Sequence, residues 1–308
     1  MLHKNIIEIT DFSQKELIQL MKDAIAFKRN IHLKKNALKG KRVCLLFDSS
    51  SLRTRLSFES AVHLLGGSTY FIDSDAVLHE KDGSPREIYE DIIESIDRMV
   101  DAYVVRDYSQ NMLEVLKRKQ YPPFINGFCQ TGHPSQALAD VSVVACKKGI
   151  QNLNFVGVCS PEGSGVMESF VYAVLLLGQH ITLITPTGNI IGKNFDFHKK
   201  VKMLSKYGGS LTLTDNIQAT MKKADVLYVD EWWENKKDFL KRQIGVYQVN
   251  KQFLKNAKKS WVILHCLPAH HDREIAKEVI YSPQSIIFDQ AEFRVYSAMS
   301  LLCYLFEK

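Results

Sequence analysis

Nowhere in the 308 residues does an apolar run approach the roughly eighteen uninterrupted residues of a membrane-crossing helix. A membrane protein is not expected. The opening MLHKNIIEITDFSQKELIQL lacks a long apolar segment with a cleavage site, so a soluble cytoplasmic protein is the reading. Cysteine is sparse and unpaired in spacing: Cys44, Cys129, Cys146, Cys159, Cys266 and Cys303 sit mostly within apolar runs, which argues for buried thiols and against a metal site. There is no internal repeat and no low-complexity tract, which removes solenoids and disordered arrays. Nor is charge concentrated. Forty Lys and Arg against 34 Asp and Glu give a formal +6, but the basic residues are scattered and no aromatics interleave with them as in nucleic-acid grooves. Nucleic acid is therefore not expected as a partner, and an anionic small molecule is. GVCSPEGSG (157–165) has glycines after an apolar run but not the G-x-G-x-x-G order that close approach to a pyrophosphate requires, so no dinucleotide is expected.

What is present reads as α/β. A chain 45% hydrophobic and 24% charged at this length can bury a large core and is near the size at which single cores divide. A first helix opens with a capping box, Ser13 and Glu16, followed by Leu17, Leu20, Met21 and Ala24 at helical spacing. Apolar runs at 43–47, 68–72, 101–106 and 122–127 then alternate with helical patterns, the order of βαβ units and a parallel sheet. A helix over 134–149 leads to a second series with strands expected at 153–159, 180–185, 225–229, 261–266 and 285–289, and a C-terminal helix over 293–307. Two domains follow: 1–134 with 291–308, and 135–290.

The run VCLLF (43–47) ends in SSSLRTRLSFESA (49–61), three serines and two arginines at the mouth of a helix. A helix N-terminus offers unpaired N–H groups and the positive end of the dipole. Ser51 and Thr54 add hydroxyl donors and Arg53 a planar fork suited to phosphate oxygens. The other reading is an ordinary N-cap with solvated arginines, and this stretch alone does not separate the two.

Together, SLRTRLSFE (51–59), Arg106 closing AYVVR, HPSQALAD (133–140), HCLPA (265–269) and FDQAEFR (288–294) resemble the transcarbamylase family and its ornithine carbamoyltransferase branch. Five motifs in the family's order span most of the chain. The resemblance implies two doubly wound parallel-sheet domains joined by interdomain helices, with the active site in the cleft. It also implies trimers or multiples of trimers, and carbamoyl phosphate and a small amine of amino-acid (arginine) metabolism as substrates. Ser51, Leu52 through its backbone, Arg53, Thr54, Arg106 and Arg294 inherit the phosphate clamp; His133 and Gln136 face the carbamoyl group, and Cys266 and Leu267 line the site beside it. Arg106, His133 and Thr54 are the expected catalytic donors to the carbonyl oxygen. No protein nucleophile, metal or cofactor is needed.

The acceptor side departs from the family. Where ornithine enzymes usually carry Asp-x-Trp-x-Ser-Met-Gly, this chain reads DEWWENKK (230–237): Asp230 and Trp232 persist, while Glu234 and Asn235 replace Ser and Met. The family's Gly-Asp-x-x-Asn-Asn turn is replaced by GVCSPEGSGVMES (157–169), placing Ser164 and Gly165 near the acceptor. Glu162 or Glu168 there would repel an acceptor carboxylate and attract a second ammonium, or is simply solvated. Leu78 aligns with a glutamine that reaches a neighbouring subunit, with His79 or Lys81 as substitutes. The expected reaction is carbamoyl transfer to an amine such as ornithine, giving citrulline and phosphate. Putrescine, an N-acylated ornithine or an unusual amino acid are the alternative acceptors, and a non-catalytic paralogue that binds carbamoyl phosphate is the alternative role.

Overall fold

The computed structural model describes residues 5–80, 82, 84, 86–118, 122–160, 163–186, 195–231 and 245–307. It divides into two compact units. The first comprises the residues up to Asp11, Gln19–Ser142 and those from Glu292 on; the second comprises Phe12–Ile18 and Val143–Ala291.

Helix α1 (Gln14–Arg29) begins with the expected capping box: Ser13 N–H donates to Glu16 Oε2 at 2.7 Å and Glu16 N–H to Ser13 Oγ at 3.2 Å. The first unit is a four-stranded parallel sheet built from β1 (Arg42–Phe47), β2 (Ser68–Asp73), β3 (Ala102–Arg106) and β4 (Phe124–Phe128), in the order β2-β1-β3-β4. Helix α2 (Leu52–Leu64) links β1 to β2; α3 (Ser74–Leu78) and α4 (Tyr89–Asp97) lead to β3, and α5 (Asn111–Lys117) to β4. Strands β1 and β3 are nearly continuous buried apolar runs, as expected where helices cover both faces. All four strands lie where the apolar runs placed them. The chain switches direction across the sheet between β1 and β3, whose carboxyl ends therefore open a crevice.

Helix α6 (Pro134–Lys148) leads to the second sheet, five parallel strands in the order β7-β6-β5-β8-β9. These are β5 (Asn154–Val158), β6 (His180–Ile184), β7 (Ser210–Thr214), β8 (Val226–Val229) and β9 (Val262–His265), with α7 (Gly165–Leu176), α8 (Phe195–Leu204) and α9 (Ile217–Met221) between them. Here the switch falls between β5 and β8. Gly157 lets α7 and β6 close onto β5, since a Cβ there would lie 2.5 Å from Leu183 Cδ2 and 3.0 Å from Met167 Sδ.

The second sheet corrects one expectation. Residues 285–289 are not a strand: Ser285 makes a single bridge to Ile263, and the C-terminal helix runs from Ile287 to Phe306, six residues earlier than expected. The fifth strand is instead β7, SLTLT, an edge strand with no fully buried residue. Among the cysteines, Cys44, Cys129, Cys159 and Cys303 are buried free thiols, whereas Cys146 is exposed and Cys266 half-buried. Leu78 is buried in the first unit's core, so it is not a reaching side chain; His79 is exposed and Lys81 lies outside the described residues. Among the described residues no helix is long and apolar enough to cross a membrane.

Candidate active site

In the first unit the crevice between β1 and β3 gathers most of the expected residues. Ser51 is the N-cap of α2, in extended conformation, with its Oγ accepting from Thr54 N–H at 3.3 Å. Arg53 and the buried Thr54 sit in the first turn, and Leu52 is 68% exposed. Arg294, only 6% exposed, donates through Nη1 to Gln136 Oε1 and through Nη2 to Thr54 Oγ1, each at 2.7 Å. One guanidinium thus ties the N-terminal turn of α2 to that of α6, bringing two positive helix ends together. Gln136 is oriented from behind, its Nε2 donating to the buried Asp140 at 2.7 Å.

Arg106 ends β3, in register with Phe47 of β1, and its Nε donates to Ser49 Oγ at 3.0 Å. Burial pushes its pKa down, Arg53 adds to that, and Asp48 opposes it; a guanidinium stays charged nonetheless. Asp48 also braces the turn after β3, accepting from Tyr108 N–H at 2.6 Å. His133 immediately precedes α6, is 4% exposed and has Ser135 Oγ 3.3 Å from its Nδ1. Burial first, then Arg294, then Arg106, hold its pKa well below the ordinary imidazole value, so the ring is neutral. Three arginines and a neutral histidine at two helix N-termini make a site for a small oxyanion with a neutral polar arm.

The second unit has its own cluster at the equivalent place, where β5 and β8 diverge. Asp230 follows β8, is 3% exposed, and accepts from Ser164 Oγ, from Glu231 N–H at 2.9 Å and from the Cys266 thiol at 3.6 Å. Burial raises its pKa, and the Ser164 hydrogen bond and His265 oppose that rise. Ser164 is the N-cap of α7 and accepts from Met167 N–H at 3.0 Å; Gly165 is the buried first residue of that helix. Glu168 is 8% exposed, not solvated, with Tyr172 Oη 3.5 Å from its Oε2. Cys159 lies near both carboxylates: burial, Asp230 and Glu168 together push its thiol up, leaving it inert. Cys266 and Leu267 belong to this cluster of the second unit. Leu267 has φ +59° and donates its N–H to His265 Nδ1 at 2.9 Å, which fixes the proton on Nε2, 3.2 Å from Glu274. Glu162, Trp232, Glu234 and Asn235 lie outside the described residues.

Sequence reasoning did not single out Asp48, Ser49, Ser135 or Glu274. Ser49 carried a signal as the first of the three serines after β1, and Ser135 as part of the HPSQ motif. Among the described residues no group of His, Cys, Asp and Glu could hold a metal ion.

Comparison with known proteins bears on both units. Residues 4–145 match the family described as aspartate/ornithine carbamoyltransferase, carbamoyl-P binding domain, and residues 151–305 its Asp/Orn binding domain. The chain is 35% identical over 313 residues to an ornithine carbamoyltransferase of Methanococcus maripaludis, covering 98% of this chain and 99% of that one. It is 32% identical over 312 residues to one of Bacillus anthracis, covering 99% and 95%. The ornithine carbamoyltransferase structure from Pyrococcus furiosus superposes with a TM-score of 0.85 at 31% identity, over 97% of this chain and 96% of that. With both domain descriptions matched along the chain, this protein belongs to the aspartate/ornithine carbamoyltransferase family and is a carbamoyltransferase acting on carbamoyl phosphate and an amino acid.

Proposed function

We propose that this carbamoyltransferase transfers the carbamoyl group of carbamoyl phosphate to the side-chain amine of ornithine, giving citrulline and phosphate. The observation that carries the reading is the Arg294 bridge between Thr54 and Gln136, set beside a neutral His133. The relatives named ornithine carbamoyltransferase, which match this chain nearly end to end, support the acceptor.

The chemistry follows from the residue types. The amine attacks the carbamoyl carbon, negative charge grows on the carbonyl oxygen, and the C–O bond to phosphate breaks, with the amine's proton leaving on phosphate. Ser51, the Leu52 backbone N–H, Arg53 and Arg294 hold the phosphate. Because Thr54 Oγ1 accepts from Arg294, its own proton is available to the carbonyl oxygen. Arg106 and the Nε2–H of His133 donate to the same oxygen, and losing one such donor costs roughly 100- to 1000-fold in rate. Gln136 orients the carbamoyl nitrogen. On the second unit Asp230, with Ser164, Gly165, Cys266 and the Leu267 backbone around it, receives the ammonium of the amino acid, as do Glu234 and Asn235 by their place in the sequence.

A second acceptor class has one observation in its favour. Glu168 is buried one helical turn from Ser164, so the second cluster holds two carboxylates and suits an amine with a second ammonium, such as putrescine. Phosphate release and ureido-product formation with ornithine, putrescine and N-acylated ornithines distinguish them: citrulline from ornithine at the highest kcat/KM supports the first reading, and preference for another amine overturns it. We also propose a cytoplasmic homotrimer or multiple of trimers. Leu52 and Leu56, one turn apart on α2, are 68% and 53% exposed beside the phosphate loop, and the free thiols suit a reducing compartment. Light scattering checks the trimer.

A further inference from the structure

Strand β4 contains an irregularity with a chemical result. Val105 pairs with Asn126, but Arg106 pairs with Phe128, so Gly127 is an extra residue on β4. Side chains alternate faces along a strand, and directly opposed residues share a face. Without the bulge Gly127 would stand opposite Arg106 and Phe128 would project from the other side of the sheet. With it, the Phe128 ring lies under the guanidinium, 4.3 Å from Cζ to centroid. The same ring meets the His133 imidazole at 5.4 Å and 71°, an edge contact, and stacks with Tyr108 at 6.3 Å and 21°.

We propose that Phe128 is a positioning residue for carbamoyl transfer, holding Arg106 and His133 in one orientation through a single ring placed by the Gly127 bulge. The inference rests on the preceding reading, in which those two side chains donate to the carbonyl oxygen. Arg106 uses its Nε on Ser49 and its π face on Phe128, which leaves the in-plane Nη edge to the ligand. A guanidinium free to rotate off that plane would still attract an anion but would miss a developing oxyanion, whose stabilisation depends on donor placement. The phosphate-holding Ser51 and Arg294 are placed by hydrogen bonds that do not involve Phe128, Ser51 with Thr54 N–H and Arg294 with Thr54 and Gln136. Phe128 therefore serves the transition state more than the ground state.

The test compares Phe128→Leu, which keeps apolar volume without a π face, with Phe128→Tyr, which keeps the ring. The expected result is a kcat lowered roughly 10- to 100-fold in F128L, with inhibition by inorganic phosphate changed by less than about threefold, and recovery to within about threefold of the parent in F128Y. An unchanged kcat in F128L overturns the proposal. So does a parallel loss of phosphate binding, which indicates a merely structural role, or an F128Y as impaired as F128L. Rates are measured with whichever amine the parent enzyme carbamoylates best, so a wrong acceptor sinks the ornithine assignment and leaves this comparison intact.

Discussion

Replacing Arg294 by Met should separate ligand binding from folding. The guanidinium makes two hydrogen bonds at 2.7 Å, and bonds to a charged group contribute about 1.5–3 kcal/mol each, together roughly 3–6 kcal/mol. Opposing this, keeping a guanidinium 6% exposed costs several kcal/mol in desolvation, which Met does not incur. The two effects nearly cancel, so R294M should unfold within about 2 kcal/mol of the parent. Ligand binding has no such compensation. Removing one partner of a buried charge pair costs about 2–5 kcal/mol, a weakening of roughly 30- to 4000-fold. Arg294→Lys keeps the charge but cannot bridge Thr54 and Gln136 as a planar fork, and should fall between. Titration calorimetry with carbamoyl phosphate and with inorganic phosphate, beside urea denaturation, measures both quantities. A folded R294M that binds both ligands within about threefold of the parent refutes the clamp.

His133 should give kcat no acid limb near the ordinary imidazole pKa of about 6.5, the limb appearing only well below it, and R294M should move that limb upward by removing a cationic neighbour. Because the folded pKa lies below the unfolded one, the unfolded chain binds the extra proton. Stability should thus be complete above about pH 6.5 and fall on acidification at up to about 1.4 kcal/mol per pH unit from this group, a slope His133→Asn should remove in denaturation series. Gly127→Ala would put a Cβ 3.1 Å from Val104 Cγ1, 3.2 Å from Val105 O and 3.3 Å from Thr54 Cγ2; we expect a loss of about 1–3 kcal/mol and a higher KM for carbamoyl phosphate, from chemical denaturation and initial rates. Ser164→Ala should leave that KM unchanged while raising the acceptor KM roughly 5- to 150-fold, because Asp230 loses a buried donor and its pKa rises further. Equal effects on both KM values would count against assigning Ser164 to the acceptor.

The parallel strands were legible because strands buried on both faces read as apolar runs: VCLLF and AYVVR stand out without any partner in view. Strand β7 failed that criterion. SLTLT lies at a sheet edge, half-exposed, so its threonines gave no apolar run to detect. The opposite error arose at 285–289, where Ile286 and Ile287 are buried for different reasons, one beside β9 and one in the first turn of a helix. At the site, residues clustered in short motifs announced themselves: Ser51 to Thr54, and His133 with Gln136. Phe128 did not, because its partners Arg106 and His133 lie 22 and 5 positions away on other elements and the pairing depends on a one-residue bulge. Glu168 looked like a solvated helix residue, and only the packing around α7 buries it.

The placement of Arg294 also bears on how the enzyme is made. A ribosome finishes Ser51, Thr54, His133 and Gln136 long before it reaches residue 294, yet the guanidinium that bonds Thr54 and Gln136 arrives on the C-terminal helix. Until the helix Ile287–Phe306 has been made, a nascent chain therefore lacks the guanidinium that completes its phosphate grip, however early the loop Ser51–Thr54 is in place.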